Sequence, residues 1–150
     1  RGVDAEPADL MGEKNLYQNV KMVTAFAEKS GAVVAATGKN DIVSDGRKAY
    51  WIQNGHSMMQ TVTGVGCQLS ALTAAYVAAN PKHTLEAVTA AVSAIGVCGE
   101  LAYERMSDLD GNASYRNYLI DAVYRLDGKK LERLARVEKV NEDGEKSNEM

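Results

Sequence analysis

Cysteine, proline and long apolar runs are all scarce in this sequence, and each scarcity excludes a class of protein. The chain has two cysteines and two prolines in 150 residues. Cys67 and Cys98 lack the spacing of metal ligands, so neither a zinc site nor a disulfide framework is expected, and a cytoplasmic location is favoured. The uncharged, largely small and apolar run at residues 87–99 is too short to span a bilayer, so no membrane partner is expected. No secretory leader is visible.

Excess charge is also small, and it is confined to the end of the chain. The 17 basic and 20 acidic residues give a net charge of −3. The last ten residues, 141–150, hold four acids and one base and therefore account for all of it. Because residues 1–140 are neutral overall, binding of nucleic acid is not expected. We expect residues 1–140 to form one domain and residues 141–150 to be an acidic disordered tail.

The apolar pattern predicts alternating helices and strands in the first third of the chain. Residues 15–29 have helical spacing and end at Ser30-Gly31, and residues 32–36 form a short apolar run typical of a strand buried on both faces. Residues 41–44 and 48–53, separated by a tight turn, predict a β-hairpin at the edge of a sheet. The fold class indicated is α/β, with a mostly parallel sheet flanked by helices.

The remainder of the chain is predicted to be largely helical. After a helix that follows residue 66, Asn80-Pro81 breaks the chain. A long helix is expected at residues 84–106, with Thr84 as its N-cap, and further helices at 113–125 and 128–140.

Residues 61–70 form the stretch most suggestive of chemistry. A β-branched run breaks at Gly64 and Gly66 and continues with apolar residues at helical spacing, which predicts a strand-to-helix turn. Glycine there lets backbone N–H groups approach an anion at the positive end of the helix dipole. Cys67 lies in the first turn of that helix, which suggests phosphate capture or transfer. Glycine is also used simply to turn tightly, and the local pattern alone does not separate these interpretations.

Several motifs in a fixed order extend this pattern: Gly2-Val3-Asp4-Ala5, Thr37-Gly38 with Asp41 and Asp45-Gly46, Asn54-Gly55-His56, and Thr63-Gly64-Val65-Gly66-Cys67. In this order they resemble the hydroxyethylthiazole kinases, the thiamine-salvage members of the ribokinase-like family. The resemblance covers roughly residues 1–125 and only the C-terminal half of such kinases. It implies a ribokinase-like fold, ATP and Mg²⁺ as cofactors, and a homo-oligomer, a trimer, with active sites between subunits.

The resemblance also implies roles for individual residues. Gly64 is expected to contact the thiazole alcohol, and the backbone at Gly66 and Cys67 to face the transferred phosphoryl group. Cys67 stands where related sugar kinases carry the aspartate that accepts the substrate's proton. Thr37, at the end of a strand, is expected to contact ATP. The ATP-contacting arginine and the Mg²⁺ ligands of such kinases are expected upstream of this sequence, so no metal ligand is assigned here.

Alternatives remain at several of these positions. Cys67 is interpreted as a base, as a group that only positions the alcohol, or as a small buried side chain. Asp41 and Asp45 suggest a metal site or, for Asp45, ordinary turn chemistry. Cys98 is interpreted as packing. Residues 110–115 depart from the Gly-Pro-Gly-Ser-Phe-like loop of the family, so no role is transferred to them.

The function predicted is ATP-dependent phosphorylation of the hydroxyethyl alcohol of 4-methyl-5-(2-hydroxyethyl)thiazole. Two alternatives are kept. One is a related kinase acting on hydroxymethylpyrimidine or pyridoxal. The other is a non-catalytic α/β lobe that binds nucleotide weakly at most, an interpretation favoured by the abrupt start at Gly2-Val3-Asp4-Ala5.

Overall fold

A computed structural model describes residues 13–140 of the chain. The chain divides into two compact units, which we name the sheet unit and the helical unit. The sheet unit comprises Arg1–Ile52 and Val137–Met150, and the helical unit comprises Gln53–Arg136. The Gly2-Val3-Asp4-Ala5 motif and the acidic tail lie outside the described residues.

The sheet unit consists of one helix and a four-stranded sheet. Helix α1 (Glu13–Ser30) is followed by β1 (Val34–Ala36), β2 (Asp41–Ser44), β3 (Ala49–Ile52) and, from the end of the chain, β4 (Val137–Val140). The strand order is β1-β2-β3-β4, and all three pairs are antiparallel. The predicted hairpin is therefore confirmed as β2 and β3, although it occupies the middle of the described sheet rather than its edge.

The α/β class and the ribokinase-like assignment agree with the structure, but the expectation of a mostly parallel sheet is wrong for the described strands. Four residues separate β1 from β2, and four separate β2 from β3. A parallel pair needs a crossover of about a dozen residues or more, so connections this short impose antiparallel pairing. Likewise β1 is an edge strand in this sheet and not one buried on both faces, because its middle residue, Ala35, is exposed.

The core of the sheet unit lies between α1 and the sheet. Val20, Val23 and Ala27 recur at helical spacing and are all nearly inaccessible to solvent. Val20 and Val23 pack in one cluster with Ile42 and Ala49 of the hairpin. Full burial of each such aliphatic side chain stabilises the fold by about 1.5–3 kcal/mol. The helical spacing of these side chains places them on one face of α1, and their burial holds that face against the sheet.

The helical unit is organised around one central helix. It begins with a short 3-10 helix (Ser57–Thr61) and continues with α2 (Val65–Ala79), α3 (Thr84–Glu104), α4 (Asn112–Arg125) and α5 (Gly128–Leu134). Fourteen of the 21 residues of α3 are buried. Their cover comes mainly from α2 and α4, which pack against α3. The predicted helices at the Gly64 stretch, at residues 84–106 and at residues 113–125 are thus confirmed.

Helix α3 has the length and the mean hydropathy, 1.5 over its most apolar window, of a membrane-spanning helix. However, 78% of that window is buried inside the structure, as in the core helix of a soluble protein. No other helix among residues 13–140 is both long and apolar enough to pass this test.

Three local predictions are corrected by the structure. The last predicted helix ends at Leu134, and residues 137–140 instead form β4, because pairing with β3 buries Val140 in the core of the sheet unit. The β-branched run that begins at Thr61 is not a strand, since the Thr61 hydroxyl donates to the Met58 carbonyl at 2.8 Å and closes the 3-10 helix. Thr84 is the first helical residue of α3, with His83 at the cap position.

The turn between β2 and β3 yields a stability prediction at Gly46. This buried residue has φ +89°, and a Cβ there would lie 2.6 Å from the backbone N and Cα of Glu28 in α1. We expect Gly46→Ala to lower the free energy of unfolding by about 3 kcal/mol or more, because strain and overlap add. Gly31→Ala is the matched control: its φ is +66°, nothing lies within 4 Å, and it should cost only about 1 kcal/mol. Equal losses in urea titrations would contradict this account.

Candidate active site

The N-terminus of α2 presents backbone groups rather than side chains. Gly64 precedes the helix in the left-handed region, with φ 100° and ψ 0°, a conformation that residues with a Cβ rarely adopt. The first intrahelical bond runs from the Gln68 N–H to the Gly64 carbonyl at 3.0 Å. The N–H groups of Val65, Gly66 and Cys67 therefore have no partner within the helix. We call residues 64–67 the Gly64 turn.

No group in this turn neutralises the positive end of the helix. The cap has no side-chain hydrogen bond, and the first turn of α2 contains no acidic residue. A Cβ added at Gly64 or at Gly66 would meet nothing within 4 Å, so the space beside both residues is open. Unpaired N–H groups, the helix dipole and open approach together suit an anion such as a phosphoryl group.

The two cysteines have opposite environments. Cys67 is exposed in the Gly64 turn, whereas Cys98 is buried in the middle of α3, and both are free thiols. Burial raises the pKa of the Cys98 thiol to about 11. Cys98 is accordingly a packing residue, as expected, and Cys67 is the thiol that a bound molecule could reach. Its exposure contradicts the interpretation of Cys67 as a small buried side chain.

Asn54-Gly55-His56, the third motif of the sequence, forms part of a polar cluster. Asn54 is buried; its Oδ1 accepts from the Arg136 N–H at 2.7 Å, and its Nδ2 donates to the Leu134 carbonyl at 3.0 Å. The Glu100 carboxylate accepts from the Gly55 N–H at 2.7 Å and from Arg136 at 3.1 Å. Burial would raise the pKa of Glu100, but these hydrogen bonds outweigh it and lower that pKa. The cluster fixes the backbone that leads towards the Gly64 turn.

His56 serves this same segment structurally. Its Nδ1 accepts the Met58 N–H at 3.2 Å, capping the 3-10 helix. Its ring is stacked on Tyr103 of α3 with centroids 3.6 Å apart. Both contacts orient the imidazole within the protein, so the structure gives His56 a structural role in this segment.

Thr37 lies in the turn after β1 and is exposed. That turn is closed by Asp41, whose Oδ1 accepts the Gly38 N–H at 2.8 Å. Burial raises the pKa of Asp41 to about 6, although the Gly38 N–H acts in the opposite direction. Asp45 accepts the Arg47 and Lys48 N–H groups at 2.8 and 2.7 Å, which is turn chemistry. Residues 13–140 contain no group of three or more His, Cys, Asp or Glu that could hold a metal.

The structure thus brings Gly64, Gly66 and Cys67 into one turn, whereas Thr37 belongs to the sheet unit. Contact of Thr37 with ATP stays a prediction. Sequence reasoning missed Glu100 and Arg136, because partners separated by 36 to 82 positions leave no local pattern. Of these three side chains, only that of Asn54 belongs to one of the sequence motifs. Asn112, left without a role, contacts Thr61, three positions ahead of Gly64.

Fold and site together define an α/β protein with an uncapped helix N-terminus suited to an anion and an accessible thiol within it. Residues 1–129 match the model of the hydroxyethylthiazole kinase family. The chain belongs to that family, and the resemblance inferred from the motifs is confirmed.

Individual relatives agree with this assignment. A hydroxyethylthiazole kinase of Clostridium acetobutylicum is 50% identical over 138 residues, which are 92% of this chain and 50% of that protein. A hydroxyethylthiazole kinase 2 of Clostridium botulinum is 36% identical over 126 residues, 84% of this chain and 45% of that protein. The structure of the hydroxyethylthiazole kinase protein from Pyrococcus horikoshii OT3 superimposes with a TM-score of 0.76 at 34% identity, covering 86% of this chain and 49% of that one. The chain therefore spans about half the length of the relatives it matches.

The contrast between the two thiols predicts selective alkylation. In the folded chain, iodoacetamide at pH 8 should modify Cys67 at least tenfold faster than Cys98, because only Cys67 is exposed and burial raises the pKa of Cys98. Intact mass and peptide mapping would measure both rates. Cys67→Ala, the control, should leave no rapidly modified thiol. Two equally fast reactions would contradict the burial of Cys98.

The environment of Asp41 predicts a pH dependence of stability. Its folded-state pKa of about 6 lies above the unfolded value of 3.8, so the folded state binds the proton more tightly and stability falls as pH rises from about 4 to 6. Asp41→Asn should abolish that fall and be more stable than the wild type at pH 7 by about 1–2 kcal/mol. The amide of this variant keeps an oxygen for the Gly38 N–H.

Asp45→Asn is the matched control for this titration. Burial acts to raise the pKa of Asp45, but the N–H groups of Lys48 and Arg47 lower it, so its titration lies below the window from pH 4 to 6. Urea unfolding at four pH values between 4 and 7 would compare the variants. If the free energies of unfolding of the wild type and of Asp41→Asn changed in parallel with pH, this explanation would be wrong.

Proposed function

We propose that this chain supplies the phosphoryl-transfer part of a kinase that phosphorylates the hydroxyethyl alcohol of 4-methyl-5-(2-hydroxyethyl)thiazole with ATP. The observation that carries the proposal is the Gly64 turn, an uncapped helix N-terminus with an exposed thiol, in a chain of the hydroxyethylthiazole kinase family. The names of the relatives supply the substrate.

The N–H groups of the Gly64 turn provide the main chemical contribution. Phosphoryl transfer passes through a loose transition state whose negative charge is spread over the equatorial oxygens. Donors fixed before the reaction, here the N–H groups of Val65, Gly66 and Cys67, stabilise that charge without reorganising. Glycine at position 66 leaves room for the phosphoryl group to reach them.

Cys67 is proposed to lie beside the hydroxyl of the thiazole alcohol, with Gly64 contacting the same substrate. A thiolate there accepts the proton of the hydroxyl as the hydroxyl oxygen bonds to the γ-phosphorus of ATP and the bond from that phosphorus to the bridging oxygen breaks, so that ADP leaves. A thiol in the same place orients the alcohol for in-line attack, and a loose transition state asks little of a base. Both roles require an accessible sulfur in the first turn of α2, and the exposure of Cys67 supports that placement.

Thr37 is proposed as the contact for ATP in the sheet unit, through its hydroxyl or backbone. The described residues contain no group of three or more His, Cys, Asp or Glu that could hold Mg²⁺, so no Mg²⁺ ligand is proposed on them. We also propose that the protein is a homo-oligomer, a trimer, and that it is cytoplasmic. The two free thiols support the second point, because they favour a reducing compartment.

A chimeric enzyme tests the proposal directly. This chain would replace the matching half of the Clostridium acetobutylicum kinase, which is 50% identical to it. We expect ATP-dependent phosphorylation of the thiazole alcohol, measured by product formation. Gly66→Val should lower kcat/KM at least 100-fold with little loss of stability, because a Cβ at this position meets nothing within 4 Å beyond its own helix, while the new side chain enters the space proposed for the phosphoryl group.

Ala74→Val is the control, since it places the same side chain at an exposed position of the same helix, where valine has a lower helix propensity than alanine. It should retain near-normal activity. Preference for hydroxymethylpyrimidine or pyridoxal would refute the substrate assignment. The other function kept from the sequence is that of a non-catalytic lobe. A folded but inactive chimera would support that alternative.

A further inference from the structure

The Gly64 turn belongs to a helix whose side chains are only partly covered. None of the residues of α2 is buried, although Val65, Leu69 and Leu72 are partly buried against the core cluster of the helical unit. The segment that enters the turn is also fixed, because Val62 is 8% exposed and packs in that cluster with Tyr115 and Leu119 of α4. The orientation of the turn therefore depends both on this packing and on whatever holds residues 61–63.

One side chain from α4 reaches this segment. The Asn112 Nδ2 donates to the Thr61 carbonyl at 3.1 Å, and the Asn112 Oδ1 lies 3.3 Å from the Thr61 hydroxyl. The Thr61 hydroxyl has a single proton, and the Met58 carbonyl accepts it at 2.8 Å, at the end of the 3-10 helix. The Nδ2 hydrogen bond is therefore the contact that joins Asn112 to Thr61 across 51 positions of sequence.

Asn112 is itself held in place from both flanks. Before it, the Asp110 carboxylate accepts from the Ser107 N–H and hydroxyl at 2.9 and 2.8 Å. After it, Tyr115 is fully buried and its hydroxyl donates to the Gly99 carbonyl of α3 at 3.0 Å. A side chain that starts from so fixed a backbone loses little further freedom when it bonds to Thr61.

We propose that Asn112 is a positioning residue for the Gly64 turn. Its amide fixes Thr61, so the first turn of α2 forms with its N–H groups aimed where the phosphoryl group is proposed to lie. The inference rests on the proposed function for the aim of those groups, but its test measures the order of the turn and needs no ligand. The competing explanation is that burial of Val62 holds the segment and that Asn112 merely begins α4.

Hydrogen exchange of the Gln68 amide in the 150-residue chain distinguishes these explanations, because that N–H bonds to the Gly64 carbonyl and reports whether the first turn of α2 is formed. Asn112→Ala should accelerate its exchange about fivefold, the factor expected from one hydrogen bond of ordinary net strength. The buried amides of α3, such as those of Ala94 and Val97, should change much less. Asn117→Ala, at an exposed asparagine of the same helix, should change neither set.

Asn112→Pro separates the amide contact from the start of α4. Proline is favoured at the first helical position, and the extended Gly111 before it suits a following proline. This variant keeps the helix start but lacks both polar atoms, so it should accelerate Gln68 exchange as Asn112→Ala does. Unchanged Gln68 exchange in Asn112→Ala, equal acceleration of all amides, or normal exchange in Asn112→Pro would each overturn the proposal. Absence of kinase activity in the chimera would instead refute the proposed function and leave this result standing.

Discussion

Gly96 and Gly99 let the chain lie against α3 more closely than any larger residue would permit. A Cβ at Gly96 would stand 2.8 Å from the backbone of Asn54, and one at Gly99 would overlap the Met59 side chain. The segment from residue 53 to residue 61 is thereby pressed onto a helix that is two-thirds buried. Glu100, the next residue along α3, binds the same segment through the Gly55 N–H. The position of the segment that leads to the Gly64 turn depends on this close packing, and polar contacts then hold the segment in place.

Burial in the helical unit decreases from α3 to α2. Two-thirds of the residues of α3 are buried, whereas α2 has no charged and no buried residue, and the first N–H groups of α2 have no partner within the helix. Burial stabilises elements unevenly, and binding segments are drawn from the less stable end. In a turn proposed to bind a ligand, the contact of Asn112 with Thr61 adds to the burial of Val62 and to the partial burial of Val65 and Leu69.

The proposed chemistry of the site relies on backbone groups and one sulfur rather than on acids. Asp41, Asp45 and Asp110 all accept N–H groups of nearby turns, and Glu100 is engaged by Gly55 and Arg136. These carboxylates shape the chain on which the site is built. An open helix N-terminus suits a reaction whose main requirement is to place and stabilise negative charge. Carboxylates committed to turns would contribute little to that requirement and would repel an incoming phosphate.

The sequence by itself determined the features that are local. Periodicity predicted the helices at residues 13–30, 84–104 and 112–125. Asp45-Gly46 predicted the hairpin turn, and the glycines before Cys67 predicted the Gly64 turn. Each of these features depends on residues that are close together in the sequence. Tertiary structure alone decided the antiparallel order, the change of residues 137–140 from helix to strand, and the pairing of Asn54, Glu100 and Arg136. Those outcomes depend on which strand edges and hydrogen-bond donors from distant parts of the chain still need a partner. Hydrogen bonds between residues tens of positions apart produce no periodic pattern in the sequence.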